Sequence, residues 1–200
     1  MSVPAGEAAL IAASKRGDSK AFDQLIRRYE DKIFRLAHSV CAGMPSEAED
    51  VYQETFIKAF EKLKTFKGRS NLGTWLYRIA SNLCWQRFRG RKRMPMVPIL
   101  DLPPDDDNGN LPAVQIKDWT PTPEEAARKK ELRETVARAM ADLPVDYRLV
   151  LTLRDIQELS NEEAAKILKL SVPAVKSRLH RGRMFLRDKL NSYFAEELRK

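Results

Sequence analysis

Cysteine is scarce in this 200-residue chain: Cys41 and Cys84 stand far apart, with no CxxC and no neighbouring histidine pair. That pattern indicates neither a zinc site nor a disulfide framework and suits a reducing compartment. Nowhere do about 18 uncharged apolar residues run together, so no membrane insertion is expected. The start, MSVPAGEAALIAASKRGD, lacks a basic stretch followed by a sustained apolar core, and no export is expected either. Alternating β-branched runs between turn signals are missing, which argues against a sheet. Equally absent are a Walker loop, an HExxH and a convincing metal cluster, so a nucleic-acid enzyme is disfavoured and no cofactor is implied.

What is present is charge, unevenly placed. Lysine and arginine number 36 against 28 acids, a net +8 that favours a polyanionic partner. Residues 1 to 93 hold 18 basic and 10 acidic groups, residues 94 to 123 hold 1 and 5, and residues 124 to 200 hold 17 and 13. The middle segment, MPMVPILDLPPDDDNGNLPAVQIKDWTPTP, is broken by prolines and extended by repelling aspartates. The expected organisation is all-α: a helical domain at 1–93, an acidic flexible linker at 94–123 and a second helical domain at 124–200. Helices are expected near 4–16, 19–42, 46–65 and 71–90, then near 123–141, 144–157, 161–168 and 172–195. Ser46 to Glu49, Thr122 to Glu125 and Ser160 to Glu163 each read S/T-x-x-E, the pattern of a capping box.

The stretch SNLGTWLYRIASNLCWQRFRGRKR, residues 70–93, combines a helical period with a basic end. At 100° per residue, Leu72, Leu76, Ile79 and Leu83 form a core stripe. Arg78, Asn82, Trp85 and Arg89 form a second face, and Tyr77, Cys84 and Phe88 a third. Guanidinium groups hold phosphates, an amide reads a base edge and an exposed ring stacks on an unpaired base, a set suited to single-stranded nucleic acid. Arg87, Arg89, Arg91, Lys92 and Arg93 can hold a backbone through counterion release. The plainer alternative is a core helix with a solvated tail, and for Trp75, Tyr77 and Phe88 the core is the preferred reading.

LSNEEAAKILKLSVPAVKSRLHRGRMFLRDKL, residues 159–190, has the form of a helix-turn-helix. Ala164, Ala165 and Leu168 are expected to face inward, with Val172, Val175 and Leu179 packing back on them. Outside that stripe the second helix carries Lys176, Ser177, Arg178, His180, Arg181 and Arg183, a basic surface fit for the major groove. Gly182 costs about 1 kcal/mol in a helix interior relative to alanine and reads as a close-approach point to DNA or as drift. An ordinary helical hairpin with a basic face is the alternative.

Five blocks in order, from GDSKAFDQLIRRYEDKIFRLA through AEDVYQETFIKAFEKLKTFKG and TWLYRIASNLCWQRFRGRKR to LPVDYRLVLTLRDIQELSNEEAAKIL and VPAVKSRLHRGRMFLRDKL, give the chain its likeness. It resembles the compact two-domain sigma factors of bacterial RNA polymerase, the extracytoplasmic function (ECF) group. The resemblance implies a cytoplasmic, nucleoid-associated protein that binds core polymerase, directs it to promoters and promotes strand opening. It implies docking of Asp50, Val51, Gln53, Glu54 and Phe56 on the clamp helices of the largest subunit, with the flap of the second-largest as a further contact. Val51, Phe56 and Phe60 are open to internal packing or to the partner. It implies recognition of an unpaired minus ten strand by Arg78, Asn82, Trp85 and Arg89, with the loop Phe66 to Thr74 completing a pocket for an extruded base. It implies duplex minus thirty-five recognition by Lys176, Ser177, Arg178, His180 and Arg181, although Pro173-Ala174 and Gly182 depart from the usual pattern. An anti-sigma factor is an implied partner. Asp101 and Asp105 to Asp107 of the linker read either as RNA mimics or as a solvated spacer. A stand-alone regulator binding duplex DNA without polymerase is the competing function.

Overall fold

The computed structural model describes residues 5–89 and 123–197. Among the described residues there are nine α-helices and no strand. They are α1 (Ala5–Lys15), α2 (Ser19–Arg27), α3 (Glu30–Val40), α4 (Pro45–Lys62) and α5 (Leu72–Phe88), then α6 (Pro123–Asp142), α7 (Val145–Leu151), α8 (Asn161–Leu168) and α9 (Val172–Glu197). The all-α expectation with two helical domains holds. Residues 94–122 of the expected linker, with Asp101 and Asp105 to Asp107, lie outside the described residues, as do Arg91, Lys92 and Arg93.

Local chemistry explains most helix starts. Ser160 and Glu163 form a reciprocal capping box at α8, and Lys169 leaves that helix in the left-handed region at φ 56. Ser171 caps α9 by accepting from the Ala174 amide at 3.3 Å. Two caps were not anticipated: Asp18 accepts from Ala21 N at α2, and Asn71 accepts from Thr74 N at α5. The expected cap at Ser46 is wrong. The helix begins one residue earlier at Pro45, whose missing amide is harmless at a first helical position, and Met44 precedes it without a side-chain bond. Thr122 is outside the described residues.

Three expected helices are interrupted. The 19–42 helix breaks between Arg27 and Glu30, where Tyr29 leaves helical geometry at φ −122, ψ −7. The break swings the phenol across the bundle: Tyr29 donates to Glu7 Oε2 of α1 at 3.0 Å. Its ring also lies against α5, where a Cβ on Gly73 would meet Tyr29 Cε1 at 2.9 Å. The 46–65 helix tightens into a 3₁₀ turn at Leu63–Thr65. The 144–157 helix widens after Leu151 into a π turn at Thr152–Ile156, which the Gln157 amide closes on Thr152 O at 2.9 Å.

Packing joins the two groups of helices. Leu36, Val40, Val51, Leu76, Ala80 and Leu83 from the first belong to one buried cluster with Leu149, Val150, Ile167, Val175 and Leu179 from the second. Gly182 belongs to this packing. A Cβ there would sit 2.8 Å from Leu151 Cδ1, so the glycine lets α9 approach α7, and close approach to DNA is not its role.

Candidate nucleic-acid interface

Helix α5 is buried on two of its three faces. Leu72, Leu76 and Leu83 line the first, with Ile79 only half-buried, and Tyr77, Cys84 and Phe88 are sealed on another. Trp75 is half-buried with its ring 5.2 Å from that of Phe66, at the edge of the Phe66 to Thr74 loop. The remaining face carries Asn82, Trp85 and Arg89, all exposed. Trp85 keeps 37% of its surface in solvent, which is costly for an indole without a partner. The Arg89 guanidinium lies 5.1 Å from its ring centroid, so cation, ring and amide form one continuous stripe.

Arg78 departs from that stripe. Its Nη2 donates to Lys166 O of α8 at 3.0 Å, which turns it toward the second domain. Next to it, the Tyr77 hydroxyl donates to Gln157 Oε1 at 2.8 Å, and burial pushes that hydroxyl up to about 12. Two adjacent residues of α5 are thus held by the helix-turn-helix half.

Arg87 corrects the counterion reading of the basic run. It bridges back to α4, with Nη1 at 2.6 Å from Glu47 and 3.1 Å from Asp50, and Nη2 at 3.3 Å from Glu54. Three carboxylates hold its guanidinium well above its ordinary value. Glu54 is held below the usual carboxylate range, first by Lys58 and then by Arg87. Asp50 remains largely exposed, and Gln53 donates to Glu49 at 3.1 Å on the same side.

Of the residues expected to meet polymerase, Val51 is fully buried, so it packs internally and presents no side chain to a partner. Phe56 is half-buried, edge-on to Tyr52 at 5.2 Å. Ile57 and Phe34 were overlooked. With Phe60, whose ring lies 5.0 Å from that of Phe22, they leave 58%, 44% and 53% of their surfaces exposed. These exposed apolar side chains on and beside an acidic helix are candidates for contact with a partner.

On α9, Lys176 and Ser177 are exposed, while His180 and Arg181 are half-buried. Arg178 turns inward to Asp146 of α7 at 3.3 Å, and Arg183 pairs with Asp155 at 2.8 Å. Both serve first as braces of the helix-turn-helix. Val175 and Leu179 pack back on Ala164, Ala165 and Ile167, all buried, with Leu168 and Val172 at the margin.

The sigma-70 region 2 family matches residues 25–94, and sigma-70 region 4 matches residues 133–186. The ECF RNA polymerase sigma factor SigW of Bacillus subtilis is 39% identical over 176 residues, 88% of this chain and 92% of that protein. The chain belongs to the ECF sigma factors of RNA polymerase.

This sigma factor is also similar to the ECF RNA polymerase sigma-E factor of Escherichia coli, 36% identical over 185 residues, covering 90% of this chain and 92% of that one. Among solved structures, CnrH in complex with the cytosolic domain of CnrY aligns with a TM-score of 0.65 at 27% identity, covering 94% of this chain and 98% of that one. The present chain, as an ECF sigma factor, directs RNA polymerase to promoters and is not an enzyme. No helix among the described residues is long and apolar enough to cross a membrane.

Proposed function

We propose that this sigma factor holds the unpaired minus ten strand on the open face of α5. Asn82 contacts an extruded base, Trp85 stacks, and Arg89 holds the backbone. The observation that carries this reading is the exposure of an amide, an indole and a guanidinium in one stripe on a helix otherwise buried. Capture of an unstacked base offsets the few kcal/mol that unstacking costs. Strand opening then follows from tighter binding to the melted form and needs no nucleotide hydrolysis.

In the same reading the domains run 1–93 and 124–200 about the linker. Asp50, Gln53 and Glu54 meet the clamp helices, with Phe56, Ile57 and Phe60 beside them, and the second domain meets the flap. Lys176, Ser177, His180 and Arg181 face the minus thirty-five duplex, joined by Arg178 once it leaves Asp146. Arg78 joins the DNA face when α8 moves away. An anti-sigma factor competes for the apolar surface around Phe34. These partners put the protein in the cytoplasm, at the nucleoid.

Run-off transcription with purified core polymerase on a pool of promoter fragments tests the proposal. Discrete transcripts that require this protein, and that fade with Asn82→Ala, are expected. Transcripts insensitive to changes at Asn82, Trp85 and Arg89 would remove α5 from strand recognition.

A further inference from the structure

Among the described residues Glu7 is the only buried carboxylate, at 5% exposure, and its Oε1 has no hydrogen-bond partner. Its Oε2 accepts from the Tyr29 hydroxyl at 3.0 Å. An acid so sparsely compensated costs stability, which makes Glu7 a poor choice for packing alone. Two turns further along α1, about 12 Å away at a helical rise of roughly 1.5 Å per residue, stands Lys15. Its Nζ donates to Phe66 O and lies 5.7 Å from the Phe66 ring centroid. Helix α1 itself is seated through Leu10 and Ile11 on the core cluster that holds Phe66, Leu72 and Leu76.

These ties reach the two ends of one exposed segment. Phe66 leaves the 3₁₀ turn in extended geometry, at φ −67 and ψ 113, and beyond the turn its carbonyl finds a charged donor in Lys15. Its ring also meets Trp75, with 5.2 Å between centroids. At the other end Asn71 caps α5 by accepting from Thr74 N at 2.6 Å. Gly73 then lies so close to the Tyr29 ring that a Cβ would meet Cε1 at 2.9 Å, and the bond to Glu7 holds that ring from the side of α1. Between the two ends Lys67, Gly68 and Arg69 are exposed, and Gly68 turns the chain at φ 66. A short exposed segment tied at both ends has little freedom left to lose when a ligand binds it.

We propose that α1 sets the shape of the loop Phe66 to Thr74, with Lys15 and Tyr29 as positioning residues for capture of the extruded minus ten base. The inference rests on the strand-recognition reading, in which that loop completes the pocket beside Asn82. Gly73 and Asn82 share α5, so the second end of the loop moves with the amide and only the first end needs an outside tie. Lys15 is that tie. The contact of Glu7, Tyr29 and Gly73 registers α1 on α5, and Lys15 then places Phe66 at a set distance from Asn82. Neither positioning residue touches the base. Loss of either lets the loop swing away from the amide, while Trp85 and Arg89, on the exposed face of α5, keep their own contacts with the strand.

The test uses holoenzyme carrying the full chain and fork-junction DNA made from a promoter that it transcribes, unpaired through the minus ten element. An abasic site is moved through the unpaired strand one position at a time, and binding is titrated. With wild-type protein, one position is expected to show a loss of about 5- to 150-fold, the worth of one base contact, and Asn82→Ala should erase the loss there. Lys15→Met keeps the aliphatic stem against Phe66 but removes the donor, and Tyr29→Phe keeps the ring against Gly73 but removes the bond to Glu7. Each variant, at a temperature where its circular dichroism matches wild type, should shrink that penalty several-fold while binding the abasic probe as wild type does. A full penalty in either variant removes that residue from the proposal. Equal weakening of intact and abasic probes in both variants would make the role of α1 merely structural and overturn it. If no position shows a wild-type penalty that Asn82→Ala erases, the strand-recognition reading itself falls and takes the proposal with it.

Discussion

Arg78 of α5 donates to the backbone carbonyl of Lys166 in the first helix of the helix-turn-helix, 88 residues away, at 3.0 Å. Tyr77 and Arg148 make parallel links, to Gln157 and Val40. The two groups of helices therefore hold each other. In the proposed reading the two units part to reach two promoter elements at once, and these three bonds then break. Fluorescent labels at the exposed positions Gln86 and Lys166 should transfer energy efficiently in the free chain and lose most of that transfer when core polymerase and promoter DNA bind. Unchanged transfer would mean that the docked arrangement persists in the initiating complex.

Gly182→Ala tests the close contact between α9 and α7. Helix propensity favours the change by about 1 kcal/mol, but the new methyl meets Leu151 Cδ1 at 2.8 Å in a packed core. Overpacking of this kind costs about 1–3 kcal/mol. Net destabilisation of about 1 kcal/mol is expected in urea denaturation, and Leu151→Val in the same chain should be less harmful than the sum of the two changes. Simple additivity would separate the residues energetically.

Tyr77 carries a pH signature. Its hydroxyl is pushed up to about 12 from an ordinary 10.0 by burial. The stabilisation tied to this neutral hydroxyl is complete below pH 10 and is lost as pH rises through about 12, because the unfolded chain releases the proton first. Tyr77→Phe should lower stability at neutral pH by about 0.5–1.5 kcal/mol through loss of the Gln157 bond. It should also flatten part of the alkaline decline seen in wild-type denaturation midpoints. An alkaline slope identical in both proteins would assign that decline to other tyrosines.

Arg181→Ala is expected to weaken binding to the upstream duplex element by about 1–3 kcal/mol if the side chain reads a guanine edge. Association with polymerase should be little changed, because Arg181 is assigned to the duplex and the clamp contact is assigned to α4. Electrophoretic mobility shifts with reconstituted holoenzyme measure both, and undiminished promoter affinity would exclude Arg181 from the reading surface.

Much that depends on a few neighbouring residues was legible in the chain, although the Asp18 and Asn71 caps were missed and the Ser46 cap was misplaced. The Ser160 and Glu163 box, the Ser171 cap, the inward Val175 and Leu179, and the exposed Asn82, Trp85 and Arg89 all follow from local spacing. The larger features that escaped had distant causes. Helix α2 ends early because Tyr29 bonds Glu7, 22 residues before it, and fits against Gly73. Arg87 looks like part of a basic tail until α4 brings Glu47, Asp50 and Glu54 to it, and Arg178 looks like a DNA reader until α7 offers Asp146. Periodicity reports which side of a helix is apolar, not which partner stands opposite a charge.

Strand opening by α5 is tested most directly by permanganate reactivity of unpaired thymines in the minus ten region, using holoenzyme formed with wild-type protein or with Asn82→Ala at saturating, equal occupancy of duplex promoter. The account predicts strong reactivity for wild type and a several-fold loss for Asn82→Ala, with duplex binding little changed. Equal reactivity, or equal loss of binding and opening, would contradict the assignment of Asn82 to an extruded base.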